Sequence, residues 1–261
     1  MKLEVISKYP RGAARATPLL FVHGAWHGAW CWDEHFLGYF AQRGYAAHAL
    51  SLRGHGASEG KDRLRWTRLA EYVADVASVA GSLPQPPVVI GHSMGGAIVQ
   101  RYLETPRAPA GVLLASMPPA GACTAALRLA RRHPLAFAKA NLTLSLYPLV
   151  ATPRLAREAF FSERLADERA LAYAGRLGDE SYLAFLDLLG LDLPRPQRVA
   201  VPMLVLGAGE DTFFDSREIA ATARALRTEA VIFPGMAHDM MLEPGWQGVA
   251  ERMATWIEET L

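Results

Sequence analysis

The chain has 261 residues, of which 51% are hydrophobic and 20% are charged, and its formal net charge at pH 7 is +1. This length is typical of one large α/β domain, or of one domain that carries an insertion. The near-zero net charge gives no support for nucleic acid or an anionic membrane as a partner.

Targeting signals and cysteine patterns are also missing from the sequence. The first ten residues contain no apolar run long enough for a signal peptide, and no later stretch approaches the length of an apolar membrane helix. The two cysteines, Cys31 and Cys123, have neither metal-ligand spacing nor the pattern of a disulfide framework. We therefore expect a soluble, cytoplasmic protein without a metal site or stable membrane insertion. Its oligomeric state is not indicated.

Predicted strands and helices alternate along most of the chain. Short apolar runs predict strands at 19–22, 45–52, 88–90, 112–115, 203–206 and 230–233. Helical periodicity predicts helices at 32–42, at 69–83, from residue 93 onward, at 217–226 and near the C-terminus. This alternation predicts a parallel sheet with helices on both faces.

The strand pattern disappears between residues 118 and 198. This segment is rich in Ala, Leu and Arg, is interrupted by several prolines, and reads as a series of short helices. Nearly eighty residues are too many for a loop in a compact domain. We therefore predict a helical cap at 118–198, inserted into a core formed by 1–117 and 199–261. The cap should lie above the carboxyl ends of the strands, where open α/β sheets bind ligands.

A Gly-x-Ser-x-Gly pattern carries the strongest chemical signal. The segment 91–96, Gly-His-Ser-Met-Gly-Gly, follows the apolar run 88–90 and leads into a predicted helix. A sharp strand-to-helix turn exposes the hydroxyl of Ser93, and the start of the helix favours negative charge near it. Gly91 and Gly95 stand where a Cβ would collide with a neighbouring element. Ser93 is therefore the predicted nucleophile.

A serine nucleophile requires a base and a carboxylate that orients it. His238 follows the last predicted strand and is the candidate base, while Asp211 follows the preceding strand and is the candidate carboxylate. Glu210 and Asp215 are rivals of Asp211, although either could be a surface carboxylate or a helix cap. The chain order Ser, Asp, His is the order found in α/β-hydrolases.

Two backbone N–H groups are expected to stabilise the oxyanion. Met94 follows the nucleophile directly, and Ala25 lies in the turn after the strand at 19–22. His23 is interpreted as a buried histidine that braces this turn. The glycine-bearing turn around His55 has no lysine or phosphate-loop pattern, so we expect it only to shape the loop beside the site.

The substrate side is predicted from the cap and the turn after residue 22. Trp26, Leu146, Phe160 and Phe161 are candidate residues of an apolar pocket, because small-molecule sites are mostly apolar. Most other apolar cap residues should pack the cap itself. Arg128, together with the arginines at 131 and 132, forms a basic cluster that is either a solvated helix face or a contact for a substrate carboxylate.

With these motifs in place, residues 17–116 and 200–261 resemble the α/β-hydrolase superfamily. The resemblance implies an eight-stranded, mostly parallel sheet, a helical cap and a Ser-His-Asp site that needs no cofactor. The segment 23–32 is similar to the corresponding loop of plant methylesterases and hydroxynitrile lyases, except that Trp26 replaces a smaller residue. The segments 54–60 and 91–96 are similar to monoacylglycerol lipases instead.

The sequence thus predicts a serine carboxylesterase that acts on an apolar small-molecule ester through an acyl-enzyme. A C–C bond hydrolase or a lactonase could use the same three residues, and a lyase reaction has no marked lysine to support it. A protein that binds a small molecule without turnover could also keep the same fold and residues.

Overall fold

A mostly parallel β-sheet forms the centre of the protein, which we describe from a computed structural model covering all 261 residues. The strands are β1 (Val5–Lys8), β2 (Leu19–Val22), β3 (Ala47–Leu50), β4 (Val88–His92), β5 (Gly111–Leu114), β6 (Met203–Ala208) and β7 (Ala230–Phe233). Their order across the sheet is β1-β3-β2-β4-β5-β6-β7, and only β1 runs antiparallel to its neighbour. The alternation of strands and helices in the sequence predicted this fold class correctly.

The sheet has seven strands, so the expected number of eight was wrong. A single strand, β1, precedes β2, and it pairs with β3 at the edge of the sheet. The ten residues between β1 and β2 form bends rather than a strand. They include Pro10 and Pro18, which have no backbone N–H to donate to a strand ladder.

Helices pack against this sheet and connect its strands along the chain. Before the strandless segment they are α1 (Trp30–Asp33), α2 (Phe36–Gln42), α3 (Leu69–Ser82) and α4 (Met94–Tyr102). The helix expected over 32–42 is divided because the backbone at His35 leaves the helical conformation, with φ −138° and ψ −53°. The imidazole of His35 stacks on Trp246, 4.6 Å between ring centroids, and this contact favours the break.

Residues 118–198 contain helices and no strand. The α-helices there are α5 (Cys123–Arg132), α6 (Pro134–Thr143), α7 (Pro153–Phe160), α8 (Asp167–Ala174) and α9 (Tyr182–Leu186). Two further helices follow, α10 (Ser216–Ala225) and α11 (Trp246–Thr260). None of the helices is both long enough and apolar enough to cross a membrane.

The core consists of apolar strands enclosed by aromatic side chains from the helices. β2 to β5 are fully buried, as expected for parallel strands covered on both faces. Phe21 of β2 packs against Trp32 and Phe40, with ring centroids 5.0 and 5.6 Å away. This rigid sheet fixes the loops that follow the carboxyl ends of its strands.

Candidate active site

Four of these loops carry the residues expected to perform chemistry. Ala25 follows β2, Ser93 follows β4, Asp211 follows β6 and His238 follows β7. Because parallel strands end at the same edge of the sheet, residues far apart in sequence meet there.

Ser93 occupies a strained turn between β4 and α4. Its φ is 53° and its ψ is −120°, in the left-handed half of conformational space that side chains rarely adopt. A Cβ on Gly95 would lie 2.4 Å from the carbonyl oxygen of His23, and one on Gly91 would lie 2.4 Å from that of Gly95. The expectation that both positions require glycine is confirmed, since the elbow is packed directly against backbone.

The imidazole of His238 is held by Asp211. Its Nδ1 donates a hydrogen bond to Asp211 Oδ2 at 2.8 Å, and the side chains of both residues are almost fully buried. Asp211 Oδ1 accepts from the backbone N–H groups of Phe213 and Phe214, at 2.8 and 3.1 Å. Both oxygens of the Asp211 carboxylate are therefore held by hydrogen bonds. Because His238 uses Nδ1 for its bond to Asp211, Nε2 of the ring is available to act as a base.

The rival carboxylates have other positions. Asp215 is the N-cap of α10, where its side chain accepts from the backbone N–H groups of Arg217 and Glu218. Glu210 is exposed at the surface. Neither makes a hydrogen bond to His238.

The turn after β2 holds the peptide between Gly24 and Ala25 in a fixed orientation. His23 Nε2 accepts from Leu52 N–H at 3.0 Å, so its Nδ1 carries the proton and donates to the carbonyl of Gly24 at 2.8 Å. Since C=O and N–H point in opposite directions across a trans peptide, the N–H of Ala25 faces away from His23. Burial, with His55 acting in the same direction, lowers the pKa of His23 well below its ordinary value.

The N–H of Ala25 and that of Met94 donate no hydrogen bond within the protein. Met94 is the first residue of α4, and the first N–H groups of a helix have no acceptor within it. Ala25, Ser93 and Met94 line the same cavity. Two unpaired donors therefore lie beside the serine, an arrangement suited to an oxyanion.

The cavity above Ser93 is small and apolar. Its volume is about 70 Å³, and 13 of its 15 lining residues are hydrophobic. Trp26 and Leu146 line it as expected, together with Phe185 of α9. Phe213 and Phe214 also line it and pack on the His238 ring, at 4.7 and 5.8 Å between centroids, so the imidazole stands behind this wall.

Two predicted pocket residues, Phe160 and Phe161, do not line the cavity. Phe160 packs behind it, with its ring centroid 5.7 Å from that of Trp26 and 6.2 Å from that of His238. Phe161 packs instead on Tyr173 of α8. Phe160 therefore supports the site from behind. Composition alone could not separate such residues from the lining.

A buried carboxylate that sequence reasoning missed also lines the cavity. Glu180 Oε1 accepts from Tyr72 Oη at 2.7 Å, and its Oε2 lies 3.1 Å from His55 Nε2. Burial alone would lower the pKa of His55, but the Glu180 carboxylate more than offsets this and raises it. Glu180 lies just before α9, in the strandless segment 118–198. Its contact with His55 therefore connects this segment to the loop after β3, so His55 does more than shape its own loop.

The hydrogen bond between Ser93 Oγ and His238 Nε2 is not formed in this structure. Catalytic hydrogen bonds are often long in unliganded enzymes and shorten in the substrate complex. The hydrogen bond between His238 and Asp211 is formed.

Comparison with known proteins places the chain in one family. Residues 19–252 match the sequence profile of the alpha/beta hydrolase family. A monoacylglycerol lipase from Mycolicibacterium smegmatis is 28% identical over 233 residues, which are 84% of this chain and 80% of that protein. A non-heme chloroperoxidase from Burkholderia pyrrocinia is 36% identical over 118 residues, 41% of this chain and 40% of that protein.

Solved structures agree in fold. A monoacylglycerol lipase from Paleococcus ferrophilus superposes with a TM-score of 0.75 at 21% identity, and the match covers 100% of both chains. The sequence match over most of the chain, together with this shared fold, shows that the protein belongs to the alpha/beta hydrolase family.

Proposed function

We propose that this protein is a serine carboxylesterase, in which Ser93, His238 and Asp211 form a catalytic triad. The 2.8 Å hydrogen bond from His238 Nδ1 to Asp211 carries the proposal. It leaves Nε2 of the ring free to serve as the base for a serine at a strained elbow.

The reaction proceeds in two displacements. His238 Nε2 accepts the proton of Ser93 as Oγ attacks the ester carbonyl, and Asp211 stabilises the imidazolium that forms. The N–H groups of Ala25 and Met94 donate to the oxyanion. His238 then protonates the leaving alcohol, and the acyl group remains on Ser93. Water, activated by His238, attacks this acyl-enzyme and releases the acid.

The substrate we propose is a small ester with an apolar acyl group. The cavity of about 70 Å³ is almost entirely apolar, with Trp26 and Leu146 on its wall. Ligand pockets usually measure roughly 300–1,000 Å³, so a bulky substrate would require this site to open. The strandless residues 118–198 supply Leu146 and Phe185 to the wall. We therefore propose that they form a cap on a core of 1–117 and 199–261.

The names of two kinds of relative support ester hydrolysis as the reaction of this chain. One is named a monoacylglycerol lipase, and others are named protein phosphatase methylesterase 1, of which the mouse protein is 39% identical over 91 residues, 34% of this chain and 24% of that protein. Both names describe ester cleavage. The proposal for this chain rests on the site itself, with these names as support.

The test is hydrolysis of p-nitrophenyl esters from acetate to palmitate by the wild type and by Ser93→Ala. We expect turnover of short-chain esters that Ser93→Ala loses, because no other hydroxyl stands at the elbow. Turnover that survives in Ser93→Ala would contradict the proposal. So would the absence of turnover on every ester by folded protein, a result that would favour C–C hydrolysis or binding without turnover.

A further inference from the structure

A second histidine–aspartate pair lies buried behind the candidate triad. His27 Nε2 is 2.9 Å from Asp239 Oδ2, and the side chains of both residues are fully inaccessible to solvent. The two residues are 212 positions apart in the sequence. His27 lies two residues after Ala25, and Asp239 directly follows His238. The pair therefore joins the turn that carries an oxyanion donor to the loop that carries the proposed base.

The hydrogen bonds of His27 define its charge. Its Nδ1 faces the carbonyl oxygen of Ala25 at 2.8 Å, and its Nε2 faces the Asp239 carboxylate. A carbonyl oxygen and an ionised carboxylate can only accept, so with Asp239 ionised both ring nitrogens carry protons and the pair is imidazolium with carboxylate. Burial opposes this state, but Asp239 outweighs it and raises the pKa of His27. Burial also opposes ionisation of Asp239, whose pKa His27 nevertheless lowers.

Ala25 is consequently held on both sides. His23 binds the carbonyl of Gly24, in the peptide before Ala25, and His27 binds the carbonyl of Ala25, in the peptide after it. The N–H of Ala25 lies in the first of these two peptide planes, so the contact of His23 sets its direction, and holding the second plane limits rotation at Ala25. The next residue, Trp26, has a φ of 66°, a strained conformation that such contacts help to maintain.

The residue before the nucleophile joins the same cluster. His92 Nε2 donates to the carbonyl oxygen of His238 at 2.9 Å and lies 3.7 Å from Asp239 Oδ1. The second carboxylate oxygen of Asp239 has no hydrogen-bond partner, and neither does His92 Nδ1. The backbone of Asp239 donates to the carbonyl of Phe160 at 3.1 Å. His27, His92 and Asp239 thus meet at one buried point. They are sequence neighbours of Ala25, Ser93 and His238.

We infer that His27 and Asp239 are positioning residues, which hold the oxyanion turn and the proposed base at a fixed mutual distance. This inference rests on the proposed function. Neither side chain lines the cavity, so neither touches substrate. Their effect should therefore be seen in the transition state, where small displacements are costly, rather than in substrate binding.

The test measures kcat and KM for p-nitrophenyl butyrate in His27→Gln, Asp239→Asn and the double variant. We expect each single variant to lose about 10- to 100-fold in kcat, as for a displacement near 1 Å, while KM stays within about threefold. His48→Gln is the matched control. His48 is also buried and hydrogen-bonded, to Ser7 at 2.8 Å, but lies on β3 away from the site. Its kcat should remain within about twofold of the wild type.

The double variant keeps the test available if a single variant does not fold. It leaves no unpaired buried charge, and its two amides can hydrogen-bond to each other. Because the pair acts as a unit, its kcat should be no lower than that of the worse single variant. In the wild type, ¹⁵N NMR should find both ring nitrogens of His27 protonated near neutral pH.

Three results would overturn the inference. They are a kcat within twofold of the wild type in the folded variants, a loss confined to KM, and a neutral His27 ring. Ser93→Ala in the same assay separates this failure from that of the proposed function. If Ser93→Ala retains the wild-type rate, the triad itself is wrong, whereas Ser93-dependent turnover with unaffected His27 and Asp239 variants removes only the positioning role.

Discussion

His238 and Asp211 are 27 residues apart in the sequence and are joined by a hydrogen bond of 2.8 Å between Nδ1 and Oδ2. The other oxygen of the carboxylate is held by two backbone N–H groups of the loop after β6. Asp211 therefore cannot rotate away without breaking three hydrogen bonds. This anchoring fixes the plane of the imidazole and leaves its Nε2 without a hydrogen-bond partner in the protein.

Replacing Asp211 with Asn should disable the proposed base. The amide can present its N–H groups to His238 Nδ1, which favours the wrong tautomer, and kcat should fall by about 10³- to 10⁴-fold. Asp215→Asn is the matched control, because Asp215 caps α10 and Asn is an equally good N-cap. Steady-state kinetics on one ester compares the kcat of the two variants with that of the wild type. Equal rates in the two variants would exclude Asp211 from the mechanism.

Gly95→Ala should damage the elbow itself. The added Cβ would lie 2.4 Å from the carbonyl oxygen of His23 and 2.5 Å from that of Val22. Both are backbone atoms that cannot move aside cheaply, so we expect a loss of about 1–3 kcal/mol in the free energy of unfolding, together with reduced kcat.

Gly38→Ala provides the control for that substitution. Gly38 lies in α2, and its Cβ would meet nothing within 4 Å. Alanine in a helix is favoured over glycine by roughly 0.5–1 kcal/mol, so this variant should be as stable as the wild type or more so. Urea unfolding measures the free energy of unfolding of both variants. A Gly95→Ala protein as stable and active as Gly38→Ala would contradict the described packing of the elbow.

Leu146 should limit the acyl chain that the cavity accepts. It is a buried residue of the cavity wall, and Leu146→Ala removes about three carbon atoms, a methine and its two methyl groups, from that wall. We expect the best p-nitrophenyl ester to have a longer acyl chain in this variant than in the wild type. Leu142→Ala is the control, since Leu142 is 86% exposed on α6. An unchanged profile in Leu146→Ala would place the acyl group elsewhere.

Acid should destabilise the protein through His92. Burial, with His238 acting in the same direction, lowers the pKa of His92 from 6.5 to about 3. Between these values the unfolded chain binds a proton that the folded protein does not. Stability that is present above pH 6.5 is therefore lost as the pH falls, by about 1.4 kcal/mol per pH unit. The contribution of His27 to the pH dependence of stability has the opposite sign, because its raised pKa adds stability that is lost as the pH rises.

His92→Gln isolates this contribution. Urea unfolding of both proteins between pH 4.5 and 6 should give a slope with pH that is about 1.4 kcal/mol per pH unit shallower in the variant. The titrations of His27 and Asp239 are common to both proteins and largely cancel in the difference. Parallel slopes would show that His92 is protonated in the folded protein.

The fold and the main candidate residues follow from local patterns in the sequence. The apolar run before Ser93 and its two glycines are adjacent in the chain, so the elbow is readable without tertiary information. The sheet could be predicted because strands alternate with helices. The number of strands could not, since the resemblance supplied eight and the bends between β1 and β2 leave seven.

Contacts between distant segments were beyond sequence reasoning. Nothing near His27 indicates that it meets Asp239, and nothing near Glu180 indicates that it binds His55. Phe213 and Phe214 could have been found, since they follow Asp211 within three residues and must share its loop. Phe160 was predicted to line the cavity but packs behind it. A buried aromatic residue can do either, and the sequence does not distinguish the two positions.

Trapping the acyl-enzyme tests the central claim most directly. Protein mixed with p-nitrophenyl butyrate is quenched in acid within milliseconds, digested and analysed by mass spectrometry, with Ser93→Ala beside it. We predict a butyryl group on the peptide that contains Ser93, formed together with a burst of p-nitrophenol, and neither in Ser93→Ala. A burst with the acyl group on another residue, or rapid turnover that is unaffected in Ser93→Ala, would contradict the account.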